Sequence, residues 1–176
     1  DIQYGGVGRP VNLGAVKTSG VDVSLDYKFP NTPYGQFGLG LQGTYVSRYD
    51  FQTTIGGSYT DNVGAYEGSG MIARWKHVLS GTWNLGAYRA SLVNRFTSGY
   101  DDADPDTHSR VASYTLWDIS GGYTFNKTLD LDAGIKNMFD RNPPFSNQSY
   151  NFQSGYDPRY ADPMGRTFFA RATYHF

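Results

Sequence analysis

From Ser19 onward the chain alternates. Val21, Val23, Leu25, Tyr27 and Phe29 share one parity, and Asp22, Ser24, Asp26 and Lys28 the other, until Pro30-Asn31-Thr32-Pro33 stops the run. Successive side chains of a strand point to opposite faces, so this period of two predicts a strand with one apolar and one polar face. A second run returns with Phe37, Leu39, Leu41, Gly43 and Tyr45 against Gly38, Gly40, Gln42 and Thr44. After a polar segment from about Asp50 to Ser69, alternation resumes at Trp75, His77, Leu79, Gly81, Trp83 and Leu85, turns at Gly86-Ala87, and goes on through Tyr88, Ala90, Leu92 and Phe96, interleaved with Arg89, Ser91, Val93 and Arg95. A second polar stretch, about Ser98 to Val111, leads to Trp117, Ile119, Gly121, Tyr123 and Phe125; Asn126-Lys127-Thr128 turns the chain into Leu129, Leu131, Ala133 and Ile135. The longest polar stretch, Phe139 to Gly165, precedes a final run in which Phe168, Ala170, Ala172, Tyr174 and Phe176 oppose Phe169, Arg171, Thr173 and His175. Residues 1 to 12, with Gly5, Gly6, Gly8 and Pro10, read as a loop or as the frayed end of something upstream.

The pattern predicts an all-β fold of about seven antiparallel strands joined alternately by short connections (30 to 35, 86 to 87, 126 to 128) and long ones (50 to 69, 98 to 111, 139 to 165). Outer-membrane barrels have this asymmetry, with short periplasmic turns, long extracellular loops, an apolar outside and a polar inside. Phe29, Phe37, Tyr88, Phe125 and Phe176 lie beside the short turns or the terminus, where a periplasmic aromatic girdle belongs. A soluble sandwich with one dry face is the alternative, but its turns would show no such alternation of lengths. An up-and-down transmembrane barrel segment is therefore expected over residues 1 to 176. Counting by alternation, the first and last strands run the same way, so they cannot close an antiparallel barrel, and two open edges follow. An eighth strand from residues 1 to 12 would repair this, but its glycines and Pro10 oppose it.

Composition narrows the classes further. Aromatic residues make up 16%, with 15 Tyr and 11 Phe, yet mean hydropathy is only −0.52, so apolar and polar residues are finely interleaved. No run approaches the roughly 18 consecutive apolar residues of a spanning helix, and the amino terminus has no basic region followed by an apolar one. Net charge is −1, which gives no reason to expect nucleic acid as partner. The absence of cysteine removes disulfide frameworks and thiolate metal sites.

Candidate chemistry is sparse. Asp102, Asp104 and Asp106 have the one-three-five spacing of a calcium loop, but Thr107 stands where glycine is needed and Ser113 where the bidentate glutamate belongs. His77, His108 and His175 are too dispersed for a metal site and read as interface, loop or lumen residues. Asp157, Arg159, Asp162 and Arg166 could form a catalytic cluster; structural pairing within a long polar loop is the better reading. No nucleophile elbow, phosphate loop or nucleotide fingerprint is present. The chain is expected to be no enzyme and to hold no cofactor and no metal.

Leu131-Asp132-Ala133-Gly134-Ile135-Lys136-Asn137-Met138-Phe139-Asp140-Arg141-Asn142-Pro143-Pro144-Phe145 resembles the penultimate strand of TonB-dependent outer-membrane receptors. Tyr156-Asp157-Pro158-Arg159-Tyr160-Ala161-Asp162-Pro163-Met164-Gly165-Arg166, followed by the aromatic last strand, is similar to that family's carboxy-terminal signature, and Lys17-Thr18-Ser19-Gly20-Val21-Asp22 to a strand entry common in it. The resemblance implies the C-terminal part of a 22-stranded barrel in the bacterial outer membrane, here without the amino-terminal plug. It implies active uptake of a scarce ligand, a ferric siderophore or an oligosaccharide, with the lipid, the plug, the TonB complex and the barrel-assembly machinery as partners. Tyr174 and Phe176 would be the assembly signal. Asp22, Asp26, Lys28, Arg89, Arg95, Asp118, Asp130, Asp132, Lys136 and Arg171 would line the lumen. Tyr49, Phe51, Tyr59, Tyr66, Tyr100, Tyr150, Phe152, Tyr156 and Tyr160, expected in the long loops, are the ligand-contact candidates, because flat aromatic faces pack against sugars and siderophore rings. A small self-contained outer-membrane barrel, of porin or adhesion type, is the alternative; it would need an eighth strand and closure.

Overall fold

The computed structural model describes residues 14–67, 70–104, 106, 110–126, 128–149 and 154–175. Seven long strands form one sheet in chain order: β1 (Val16–Lys28), β2 (Gln36–Phe51), β3 (Trp75–Leu85), β4 (Tyr88–Thr97), β5 (Tyr114–Phe125), β6 (Leu129–Lys136) and β7 (Thr167–Tyr174). Each is antiparallel to the next. Among the described residues β1 and β7 are not paired with each other, so the sheet is an open meander with two edges and no closed small barrel. The short turns are held locally. Thr32 and Gly35 exchange backbone hydrogen bonds, and Gly86 and Asn126 take the left-handed backbone that tight reversals need.

The register aligns the two faces across the whole sheet. Tyr27, Leu39, Gly81, Leu92, Ile119, Ile135 and Phe168 are successive cross-strand partners, and so are Lys28, Gly38, Thr82, Ser91, Ser120, Gly134 and Phe169. Directly opposed residues point the same way, so the first row is one apolar surface and the second a polar one. Val21, Leu25, Leu39, Leu92, Ile119 and Phe168 are all exposed. So continuous an apolar face would be an aggregation surface in water, and facing hydrocarbon it is a wall. Aromatic residues bound it at both ends. Phe37 and Tyr45 lie about 27 Å apart along β2, with Trp83 and Trp75 opposite them.

One irregularity breaks the alternation. Ser19 and Gly20 of β1 face Arg48 and Val46 of β2, leaving Ser47 as an inserted residue that bonds back to Ser19. The bulge resets the parity of β2, so Tyr49 and Phe51 pair with Thr18 and Val16 on the polar side. This corrects the expectation that Tyr49 and Phe51 belong to a loop: both are strand residues.

Packing is densest above the sheet, in the long connections. Val63, Ala73, Tyr100, Val111 and Ala161 are buried there, with Asn62, Asp102, Asn137, Ser146, Gln148 and Asp157. Two short ladders, Tyr66–Glu67 with Gly70–Met71 and Tyr100–Asp101 with Arg110–Val111, stiffen this layer, and Thr60–Asp61 extends the sheet beside the end of β2.

Candidate functional site

On the short-turn side of the bulge, every Asp, Lys and Arg of the seven strands falls on the polar face. That face holds all ten residues expected to line a lumen and adds Lys76, which the strand pattern placed there without its being singled out. Six of these charges, Asp22, Arg89, Arg95, Asp118, Asp130 and Asp132, are hydrogen-bonded to neighbours on the face. Arg89 donates to Asp132 at 2.8 Å, to Thr124 at 2.9 Å and to Asp130 at 3.3 Å. His175 reaches the other oxygen of Asp130 at 2.9 Å. Arg95 forks onto Asp118, and Thr44 donates to Asp22. Gly122 makes room for the largest of these networks, since a Cβ there would strike both Asp132 and Arg89.

The apolar face carries its own polar group. Trp75 Nε1 donates to His77 Nδ1 at 2.8 Å, His77 Nε2 meets Asn94 Oδ1 at 3.1 Å, and Asn94 Nδ2 donates to the Leu116 carbonyl at 3.2 Å. This chain satisfies Asn94 on a face where an unpaired amide would cost several kcal/mol in lipid, roughly. The alternation in β4 gave no hint of it. His77 thus stands on the apolar face, opposite Gly43, while His108 lies outside the described residues.

Above the sheet, the glycine-asparagine signature resolves into mechanics. Asn137, 3% exposed, sits at φ 48° and closes a tight turn: its side chain accepts from Arg141 N at 2.8 Å and donates to the Arg141 carbonyl at 3.0 Å. Its own N–H donates to Asp118 at 2.8 Å, which ties the turn to the Arg95 pair. Asp140, also at positive φ, accepts the Arg166 backbone N–H at 2.8 Å, so the entry to β7 is latched onto the exit from β6.

The loop cluster was expected to pair internally, and it does so in separate places. Asp157, almost wholly buried, receives Arg159 N, Nε and a terminal nitrogen at 2.9 to 3.0 Å; Arg159 also donates to the Tyr66 hydroxyl at 3.0 Å. The Asp157 bond holds the Arg159 guanidinium above its usual range. Asp162 caps Met164 N instead, and Arg166 pairs with Asp140. Asp102 accepts Ser146 Oγ at 2.7 Å and Asn147 N at 2.9 Å, and Asp104 accepts Asp106 N at 3.1 Å. Among the described residues no group of three or more His, Cys, Asp or Glu side chains has metal-binding geometry.

The aromatic ligand-contact candidates divide. Tyr100, 1% exposed, meets Tyr160 edge-on at 5.0 Å. Tyr160 lends its hydroxyl to the Ala112 carbonyl at 2.9 Å and the Ser98 carbonyl at 3.1 Å. Burial raises the pKa of both phenols, pushing Tyr100 up to about 12, with Ser146 offsetting part of that shift without reaching hydrogen-bond geometry. Tyr156 packs, as Tyr160 does, against the buried Tyr114, Leu116 and Ala161. Tyr59 carries the Lys17 ammonium over its ring at 3.9 Å, and Tyr66 is engaged by Arg159. Tyr150, Phe152 and the terminal Phe176 lie outside the described residues, whereas Tyr174 closes β7 opposite Leu129 on the apolar face.

A family model described as TonB dependent receptor-like, beta-barrel matches residues 1–138. The ferric enterobactin receptor PirA of Pseudomonas aeruginosa is 31% identical over 70 residues, which cover 40% of this chain and 9% of that receptor. Among solved structures, the siderophore receptor PiuA from Acinetobacter baumannii superposes with a TM-score of 0.58 at 21% identity, over 92% of this chain and 22% of that one. The ferric yersiniabactin uptake receptor FyuA from Yersinia pestis gives 0.54 at 18% identity, over 91% and 22%. The chain spans less than a quarter of the length of each of these proteins.

Proposed function

Since the chain belongs to the TonB-dependent receptor β-barrel family, a family of outer-membrane transport receptors, we propose that it forms one arc of the wall of a ferric-siderophore receptor. The observation that carries this reading is the division of the sheet. One face has no charge below the bulge and suits lipid, while the other bears eleven charged side chains, most of them wired to neighbours. A mixed, internally paired polar face suits a wetted lumen that holds a polar plug without gripping a single ion. The two open edges are where the remaining strands of the wall would pair, since unpaired edge amides and carbonyls are costly in lipid.

In this reading the short turns are periplasmic and the packed long loops extracellular, so Tyr59, Tyr66 and Tyr156 stand on the ligand's side of the membrane. Tyr100 and Tyr160 brace the loops that carry them. The plug and TonB would move the ligand inward, and β7 with Tyr174 and Phe176 would be read by the assembly machinery. Siderophore is preferred to oligosaccharide because the similar proteins are a siderophore receptor, a ferric enterobactin receptor and a ferric yersiniabactin uptake receptor. The test is growth of the source bacterium with the segment encoding this chain deleted. Growth on single ferric siderophores under iron limitation should fail and return on complementation. Normal growth on every siderophore, with lost growth on an oligosaccharide as sole carbon source, would reverse the assignment.

A further inference from the structure

The charged side chains of the polar face are not satisfied evenly. Lys28, Lys76, Lys136 and Arg171, and of the carboxylates Asp26, have no side-chain hydrogen bond or ion pair among the described residues. The acids beside the open cations are taken. Arg171 is the cross-strand partner of Asp132, but Arg89 holds that carboxylate. Asp118 flanks the Ile119↔Ile135 pair as Lys136 does, yet it is forked by Arg95 and accepts the Asn137 N–H. With Asp26 as the exception, the wall binds its own carboxylates and leaves its cations open.

The open cations border a low strip. Gly38, Thr82, Ser91, Ser120 and Gly134 form one cross-strand row that ends at Lys28 on β1. Lys136 lies one row nearer the long loops and Arg171 one row nearer the short turns. Residues this small let the backbone of a partner come close, and a cavity of about 250 Å³ opens beside Thr82, Ser91 and Ser120. A segment packed there takes water from ammonium and guanidinium groups, which is costly unless carboxylates meet them. We propose that this strip docks an acidic peptide segment, lying across the strands with carboxylates toward Lys28, Lys136 and Arg171. The proposal rests on the reading above, in which the polar face lines the lumen, and adds the chemistry of the partner and its place on the wall.

The test is zero-length crosslinking in outer membranes of the source bacterium, where the whole receptor is present, with a water-soluble carbodiimide. The reagent activates a carboxylate, and a lysine amine in contact displaces it to form an amide. Peptide mapping should find Lys28 and Lys136 joined to Asp or Glu of a segment outside residues 14–176, and Lys17, which the bulge places on the outer side, joined to no such segment. In the same membranes K28E/K136E should let protease cut that segment about tenfold faster, because two attractions become repulsions. K28R/K136R should keep the wild-type rate. The proposal is overturned if both lysines react with an amine-acylating reagent yet crosslink to nothing, if they crosslink only within the seven strands, or if K28E/K136E is cut at the wild-type rate. Should K28E/K136E not insert, the wild-type crosslinks decide alone. Neither measurement needs a siderophore, so both can fail while the growth experiment succeeds, and both can succeed whatever ligand that experiment assigns.

Discussion

Asn137 gives the sharpest test of how the last loop is held. Replacing it with alanine removes its hydrogen bonds to Arg141 N and the Arg141 carbonyl, at about 1 kcal/mol for each bond. It also forces a Cβ-bearing residue without a side-chain bond to hold φ 48°, which costs about a further 1 kcal/mol. Glycine loses the same bonds but adopts that backbone freely. The expected loss is therefore about 3 kcal/mol for Asn137→Ala and about 2 kcal/mol for Asn137→Gly. Asn137→Asp keeps the acceptor for Arg141 N but turns an oxygen toward the Arg141 carbonyl, and should fall between wild type and alanine. Urea unfolding of the refolded chain in detergent, followed by tryptophan emission, reads this ranking, because Trp117 accepts the backbone bond of Met138 next to the turn. Equal midpoints for the alanine and glycine variants would refute the backbone part of the argument. A midpoint for alanine equal to wild type would refute the latch itself.

The buried Tyr100 hydroxyl has no hydrogen-bond partner among the described residues, so Tyr100→Phe should leave the loop layer as stable or raise it by up to about 1 kcal/mol; clear destabilisation in the same urea titration would mean that the hydroxyl is bonded. Because the folded pKa of Tyr100 is raised by burial to about 12, its stabilising preference for the neutral phenol is fully present below the unfolded value near 10 and is lost as pH rises through the folded one. Hydrogen exchange in the loops of the wild type should accelerate across that window and do so less in Tyr100→Phe. On the apolar face, a Cβ at Gly43 would come 2.5 Å from the Trp75 ring, so Gly43→Ala should displace Trp75 from His77 and change tryptophan quenching by brominated lipid; an unchanged quenching profile would show that the ring is free to move aside.

Strand positions, faces and the alternation of short and long connections were legible because a sheet between lipid and water imposes a period of two on almost every residue. Departures from that period were illegible for the same reason. Ser47 shifts parity by one, and nothing in Val46-Ser47-Arg48 marks a bulge, so Tyr49 and Phe51 read as loop aromatics. Asn94 breaks the apolar row of β4, but it is tolerated only through bonds to His77 on β3 and to Leu116 on β5, partners that no window along the chain contains. In the loops, pairing of Asp157 with Arg159 followed from spacing and burial cost, whereas the packing of Tyr100 on Tyr160 joins segments some sixty residues apart. The signature residues Asn137 and Asp140 could be noticed in sequence, but their role depends on positive φ and on the arrival of Arg166, which only the fold supplies.

The concentration of buried side chains above the sheet has a kinetic consequence. In the orientation proposed above, a loop layer built around Tyr100, Val111, Gln148 and Asp157 cannot cross a bilayer in packed form; its segments must pass as extended chain and condense on the far side. Condensation then acts as a pawl. Each loop that folds must be unpicked before its hairpin can slip back, so the outer layer makes insertion directional without any fuel in the outer membrane. Loop substitutions far from lipid should therefore show themselves first as slow or reversible insertion, before any fault in the finished wall.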